Sequence, residues 1–210
     1  VTNERKRKTK DPCPECFLNK ALCICTLIPR LDLKTRLCLV VHNRELKRTT
    51  NTGRLAVKAL VNSEMRIRGL QTGADEGALD LSDLLTDQYQ TFLFYPADDA
   101  MELTPELVCQ SNKPVQLIVP DGNWRQASKV HYRHHELANV PRVKISSPNQ
   151  SPYHMRVENT EEGMATLQAI AEAMGLIEGP EVREALMAVY NAKLKNTLQG
   201  RGVLTPVKAE

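Results

Sequence analysis

Val115-Gln116-Leu117-Ile118-Val119-Pro120-Asp121-Gly122-Asn123-Trp124 is the stretch on which the fold turns. Residues 115–119 form a short apolar, β-branched run with the length of a buried strand. Pro120 has no N–H for a ladder bond, so the strand is predicted to end there. Asp121-Gly122 then makes a tight turn, and Asn123 caps a helix that begins at Trp124. Strand, turn and helix set one carboxylate and one indole at the carboxyl edge of a sheet. In open α/β sheets that edge binds ligands.

Outward from this stretch, strands and helices alternate. Further strands are predicted at 37–41, 65–70, 91–95 and 143–146. Helical spacing follows at Leu55, Val57, Leu60 and Val61, and an acidic helix is expected over 78–85. A short helix follows Thr104-Pro105, and a longer one should run over 124–135. Near the end, Asn159 and Glu162 make a capping box, and Leu167, Ile170, Ala171 and Met174 mark a helix that Gly175 should close. A last helix starts near Pro180 and runs toward Leu198. This order predicts an α/β domain with a mainly parallel sheet.

The chain has 210 residues, enough for one such domain and a small appendage. Aromatic residues make up 4%, too few for a broad stacking surface. No apolar run approaches the roughly 20 residues a membrane helix needs, and no signal-peptide pattern is present. The chain therefore reads as soluble and cytoplasmic, with a monomer expected over an oligomer. The net charge of +3 is unevenly spread. Lys and Arg are missing between Arg68 and Lys113, a span that holds nine acidic residues. Basic residues crowd 5–10, 30–58 and 125–144, segments that would form a phosphate-attracting face if they converge. Solvated surface without a partner is the alternative.

Residues 1–12 are read as a basic flexible arm. Cys13, Cys16, Cys23 and Cys25 follow in C-x-x-C and C-x-C pairs, four thiols on two tight loops, which suits a tetrahedral Zn²⁺ of structural type. They define a zinc module over 13–30, ahead of a catalytic domain over 31–200 and a tail over 201–210. Cys38 and Cys109 read as packing residues. After the first strand comes a dense polar loop, from His42 through Glu45, Arg48 and Asn51 to Thr52, Gly53 and Arg54. The amides of Thr52, Gly53 and Arg54 lie where a helix N-terminus can cradle an anion. His42 is either a site residue or a structural histidine. After the last strand, 147–156 is too long for a plain connection and is punctuated by proline.

Four features occur in one order: the cysteine cluster; His42-x-x-Glu45-x-x-Arg48 running into Thr50-Asn51-Thr52-Gly53-Arg54-Leu55; Asp121-Gly122-Asn123-Trp124; and Tyr153-His154-Met155-Arg156-x-Glu158. Together they resemble the DTW-domain family, and within it the bacterial tRNA-uridine aminocarboxypropyltransferases. The resemblance covers about residues 13–173. One position departs from the family: Asn123 stands where the signature has Thr. Both residues cap helices, so the turn is preserved, but a reactive hydroxyl there is not.

The resemblance implies a SPOUT-like, trefoil-knotted domain that binds S-adenosylmethionine. It also implies transfer of the 3-amino-3-carboxypropyl group to N3 of a uridine in the tRNA variable loop, with release of methylthioadenosine. Asp121 is the candidate base for the N3 proton. Binding the donor's amino group and simple turn formation are its other readings. Trp124 stacks on the target base or packs in the core. Pro120, Asp121, Gly122, Ser146, Ser147, Tyr153 and Arg156 are the candidate donor contacts, with Arg156 set against the donor carboxylate or paired with Glu158. His42, Glu45, Arg48, Asn51, Thr52, Arg54 and Arg125 are the candidate tRNA contacts. A methyltransferase on the same fold and a non-catalytic, zinc-bearing RNA-binding module remain as competing functions.

Overall fold

A computed structural model describes residues 9–70, 79–122, 124–146 and 164–203, with the side chains of Trp124, Arg125 and His131 outside the description. Its frame is a sheet of strands β1 (Arg36–His42), β2 (Ser63–Arg68), β3 (Gln90–Phe94), β4 (Met101–Glu102), β5 (Val115–Asp121) and β6 (Arg142–Lys144). Their spatial order is β2-β1-β5-β3-β6-β4, and every pairing is parallel. The helices are α1 (Gly53–Ala59), α2 (Pro105–Val108), α3 (Trp124–Ala127), α4 (Lys129–Arg133), α5 (Thr166–Glu178) and α6 (Pro180–Gly200). The predicted α/β class and parallel sheet are thus observed.

Both sheet faces are covered, as a parallel sheet requires. Alternation along β1 sends Leu37, Leu39 and Val41 to one face, against α1, α5 and α6. Cys38 and Val40 go to the other, with Leu81, Leu84, Ala127 and Val130. Cys13, Cys16, Leu18 and Ile24 belong to the first cluster, so the cysteine module packs into the main core.

Several elements differ from expectation, each for a local reason. β5 continues through Pro120 to Asp121. Pairing with β3 stops at Leu93↔Ile118, while β1 stays alongside as far as Val41↔Asp121, so the proline sits where its strand has one unpaired side. In place of the acidic helix there is one 3-10 turn, Ser82–Leu84. Asp80 accepts from the Ser82 amide and hydroxyl, a local turn that competes with a helix. The helix expected over 124–135 is split at Ser128, whose side chain hydrogen-bonds Tyr95.

Gly175 does not end its helix. α5 runs on to Glu178, and the chain turns at Gly179. A Cβ on Gly175 would lie 2.7 Å from Arg183 Cβ, so this glycine lets α5 and α6 approach each other. β4 was not anticipated, and Cys109, expected to pack, is exposed beyond α2. Asn159 and Glu162 lie outside the described residues.

Candidate active site and cysteine centre

The register of the sheet brings three strand ends together. Val41 faces Asp121 across β1 and β5, and His42 faces Arg68 across β1 and β2. Asp121 is 6% exposed. Its Oδ2 accepts from Asn51 Nδ2 at 2.5 Å, and its Oδ1 accepts from Thr166 Oγ1 at 2.6 Å. One carboxylate therefore joins the end of β5, the loop before α1 and the first residue of α5. Thr52 adds a second stitch, its Oγ1 accepting from the Leu167 amide at 3.2 Å.

The polar loop is directed inward more than its composition suggests. Asn51 and Thr52 are buried, and Glu45 is 1% exposed and ion-paired with Arg48 at 3.0 Å. The Arg54 amide already donates to Asn51 Oδ1, so the proposed amide cradle has one of its three donors in use. The Arg54 guanidinium turns away from Asp121. It lies over the Phe17 ring at 4.0 Å and donates to the Leu46 carbonyl, in the cysteine module's neighbourhood.

His42 sits at the rim of this site. Its Nδ1 accepts from the Arg44 amide at 3.2 Å, which puts the ring proton on Nε2. Burial, then the nearby Arg68 and Arg44, hold its pKa below the usual histidine range. Arg68 is 8% exposed and donates to the Gln126 carbonyl at 2.7 Å, tying β2 to α3. Gly122 is needed for the same closeness: a Cβ there would stand 2.9 Å from Gln126 Cβ. Arg44, Arg68, Lys129 and Arg133 have no carboxylate partner among the described residues, so this corner keeps its positive charge.

Of the other candidates, Pro120 and Gly122 flank Asp121. Ser146 lies beyond β6, two strand spacings or about 10 Å from β5. There its amide and hydroxyl donate to Glu102 at 2.6 and 2.9 Å. Trp124 and Arg125 are on α3. Ser147, Tyr153 and Arg156 lie outside the described residues. The sequence reading missed Thr166, Arg68 and Gln126. Thr166 opens a helix beside the expected site, and that position is the one signal that could have found it.

The cysteines form a second centre. The Sγ atoms of Cys13, Cys16, Cys23 and Cys25 all lie within 4.8 Å of one another. Cys13–Cys25, Cys16–Cys23 and Cys13–Cys23 are 3.7, 3.8 and 3.6 Å apart. A tetrahedron with Zn–S bonds of about 2.3 Å has edges of about 3.8 Å, so the donor set fits zinc. These separations are far beyond a disulfide bond, and all six cysteines are free. The Cys16 backbone N–H donates toward Cys13 and, against burial, lowers that thiol to about 6, whereas burial pushes the Cys25 thiol up.

Comparison with known proteins gives the chain its relatives and its family. Three relatives share the name tRNA-uridine aminocarboxypropyltransferase 2. The protein of Drosophila melanogaster is 26% identical over 92% of this chain and 78% of its own length. That of Macaca fascicularis is 23% identical over 91% of this chain and 65% of its own, and that of Mus musculus 24% over 89% and 63%. These relatives are animal proteins, whereas the motifs suggested a bacterial likeness. The chain thus spans a little under two thirds of the length of the two mammalian proteins. No solved structure gives a significant match. The DTW-domain family model matches residues 10–198, from the cysteine module to the last helix, and the chain belongs to the DTW-domain family.

Proposed function

We propose that the protein modifies tRNA by moving the 3-amino-3-carboxypropyl group of S-adenosylmethionine to N3 of a uridine in the variable loop, releasing methylthioadenosine. The observation that carries this reading is the shared name of relatives that match about nine tenths of the chain. In the transfer, N3 forms a bond to the donor's carbon, the carbon–sulfur bond breaks with its electron pair going to sulfur, and the N3 proton leaves. S-Adenosylmethionine supplies the electrophilic carbon.

The chain's own residues supply position and charge. Asp121 is the group to which the N3 proton passes, held in one orientation by Asn51 and Thr166. Orientation matters because the acceptor must meet the aminocarboxypropyl carbon at about 3–3.5 Å, with the methyl turned aside. Arg44, Arg68, Lys129 and Arg133 give the cationic lip that tRNA phosphates need, with Arg125 on the same stretch of chain. Trp124 stacks on the target base. Ser146, Ser147, Tyr153 and Arg156 form the donor wall, and His42, Arg48 and Asn51 border the acceptor.

The four cysteines hold a structural Zn²⁺, and their spacing supports this. The reading extends to a SPOUT-like knot, for which the wholly parallel pairing is the support. Free cysteines and no described helix long and apolar enough to cross a membrane suit a cytoplasmic enzyme. The test is incubation of the protein with unmodified tRNA and S-adenosylmethionine, followed by mass analysis of nucleosides and small products. Methylthioadenosine and a uridine heavier by the aminocarboxypropyl group are expected. S-Adenosylhomocysteine with a methylated base would replace this reading with a methyltransferase, and no donor binding at all would leave an RNA-binding module.

A further inference from the structure

Lys193 lies on α6 with no exposed surface, yet an ammonium that deep in a core is costly unless an opposite charge meets it. Among the described residues no carboxylate pairs with it. Its Nζ donates instead to the backbone carbonyl of Cys16, and Cys16, Cys13 and Cys25 are the nearby groups that become opposite in sign once they are thiolates, with Arg54 a like charge beside it. Arg54 approaches the same module from α1. It is half-buried over Phe17, its Nε has no hydrogen-bond partner among the described residues, and Glu15 first, then Cys16, Cys13 and Cys25, act on its charge. Glu15, the acidic residue of the module's first loop, is already ion-paired with Lys58.

A divalent metal held by four thiolates carries two net negative charges, and Lys193 and Arg54 bring two positive ones. We propose that Lys193 and Arg54 are the counter-charges of the metal–tetrathiolate centre, a pair of positioning residues that neutralises the centre and anchors α6 to it. This rests on the reading of the four cysteines as a metal site. It explains why a lysine, and not a leucine, occupies the buried position between α6 and the Cys16 loop. Neighbouring contacts fix the same docking: Asn196 Nδ2 donates to the Leu22 carbonyl at 2.9 Å, and Gly200 is packed against Leu22.

The test uses the full chain and the variants Lys193→Met and Arg54→Met. Zinc affinity is measured by competition with a chromophoric chelator, and melting temperature is measured with and without the ion. Lys193→Met is expected to weaken zinc binding about 10–100-fold, as loss of an outer partner does, with a smaller loss for Arg54→Met. The gap in melting temperature between loaded and metal-free protein should shrink in both. Unchanged affinity and an unchanged gap would overturn the proposal. So would an equal fall in both melting temperatures, which marks a packing role alone. Should Lys193→Met fail to fold, Arg54→Met decides by the same two readouts. Failure of the unsubstituted chain to take up zinc or cobalt would instead remove the metal reading beneath it.

Discussion

Replacing Asp121 with Asn keeps the side chain's shape, removes its charge and turns one acceptor oxygen into a donor. The remaining oxygen can still accept from Asn51, and the new amide can donate to the Thr166 hydroxyl, because a hydroxyl serves either role. What is lost is the charge-assisted part of two buried bonds, about 1–2 kcal/mol. For a chain of this size that lowers the melting temperature by about 2–8 °C. Ala at the same position would leave two buried donors without an acceptor, at about 1–3 kcal/mol each, and would confuse folding with chemistry. Asn is therefore the informative change. If Asp121 receives the N3 proton, single-turnover transfer to unmodified tRNA should fall by about 10²–10⁴-fold while donor and tRNA affinities change little. Near-normal turnover in a folded Asp121→Asn protein would refute the assignment and leave Asp121 as the acceptor that joins three segments.

Two further outcomes follow from packing. Gly175→Val puts a branched side chain where even a Cβ meets Arg183 Cβ at 2.7 Å, so α5 and α6 must separate. The cost of about 1–3 kcal/mol should appear as a lower melting temperature, and an unchanged one would contradict the close approach. Cys38 has no exposed surface, and burial pushes its thiol up to about 12, whereas Cys109 is exposed. At pH 8 Cys38 therefore stays a buried thiol, so iodoacetamide should add one group, at Cys109, to zinc-loaded protein and reach further cysteines only after chelation, never Cys38. Rapid labelling of Cys38 in the folded state would count against its placement.

The elements that the sequence revealed are those written in short-range pattern. The run before Pro120 is a strand because its residues are apolar and branched, and Thr104-Pro105 starts a helix because its cap and first position are adjacent. Gly175 misled because glycine serves two needs, ending helices and letting them touch, and only the position of α6 decides between them. The Asp121 cluster was half legible. Asn51 and Asp121 were both noted as polar residues near a sheet edge, but the bonds that Asp121 accepts from Asn51 and from Thr166 span 70 and 45 residues of chain. Arg54 looked like a phosphate ligand because its loop is basic, and Phe17, 37 positions earlier, turns it elsewhere. Lys193 gave no signal, since a lysine on a helix reads as solvent-facing until the partner is known.

The docking of α6 against the cysteine loop also orders events in time. The contact from Lys193 to Cys16 joins residues 177 apart, and that from Asn196 to Leu22 joins residues 174 apart. At about 5–20 residues per second, synthesis leaves roughly 10–35 s between the appearance of the cysteines and of the helix that covers them. A module made before the sheet is thus finished after it. Its thiols stay accessible while the sheet assembles, a window for capturing an ion and equally for oxidation, which closes when the C-terminal helix docks.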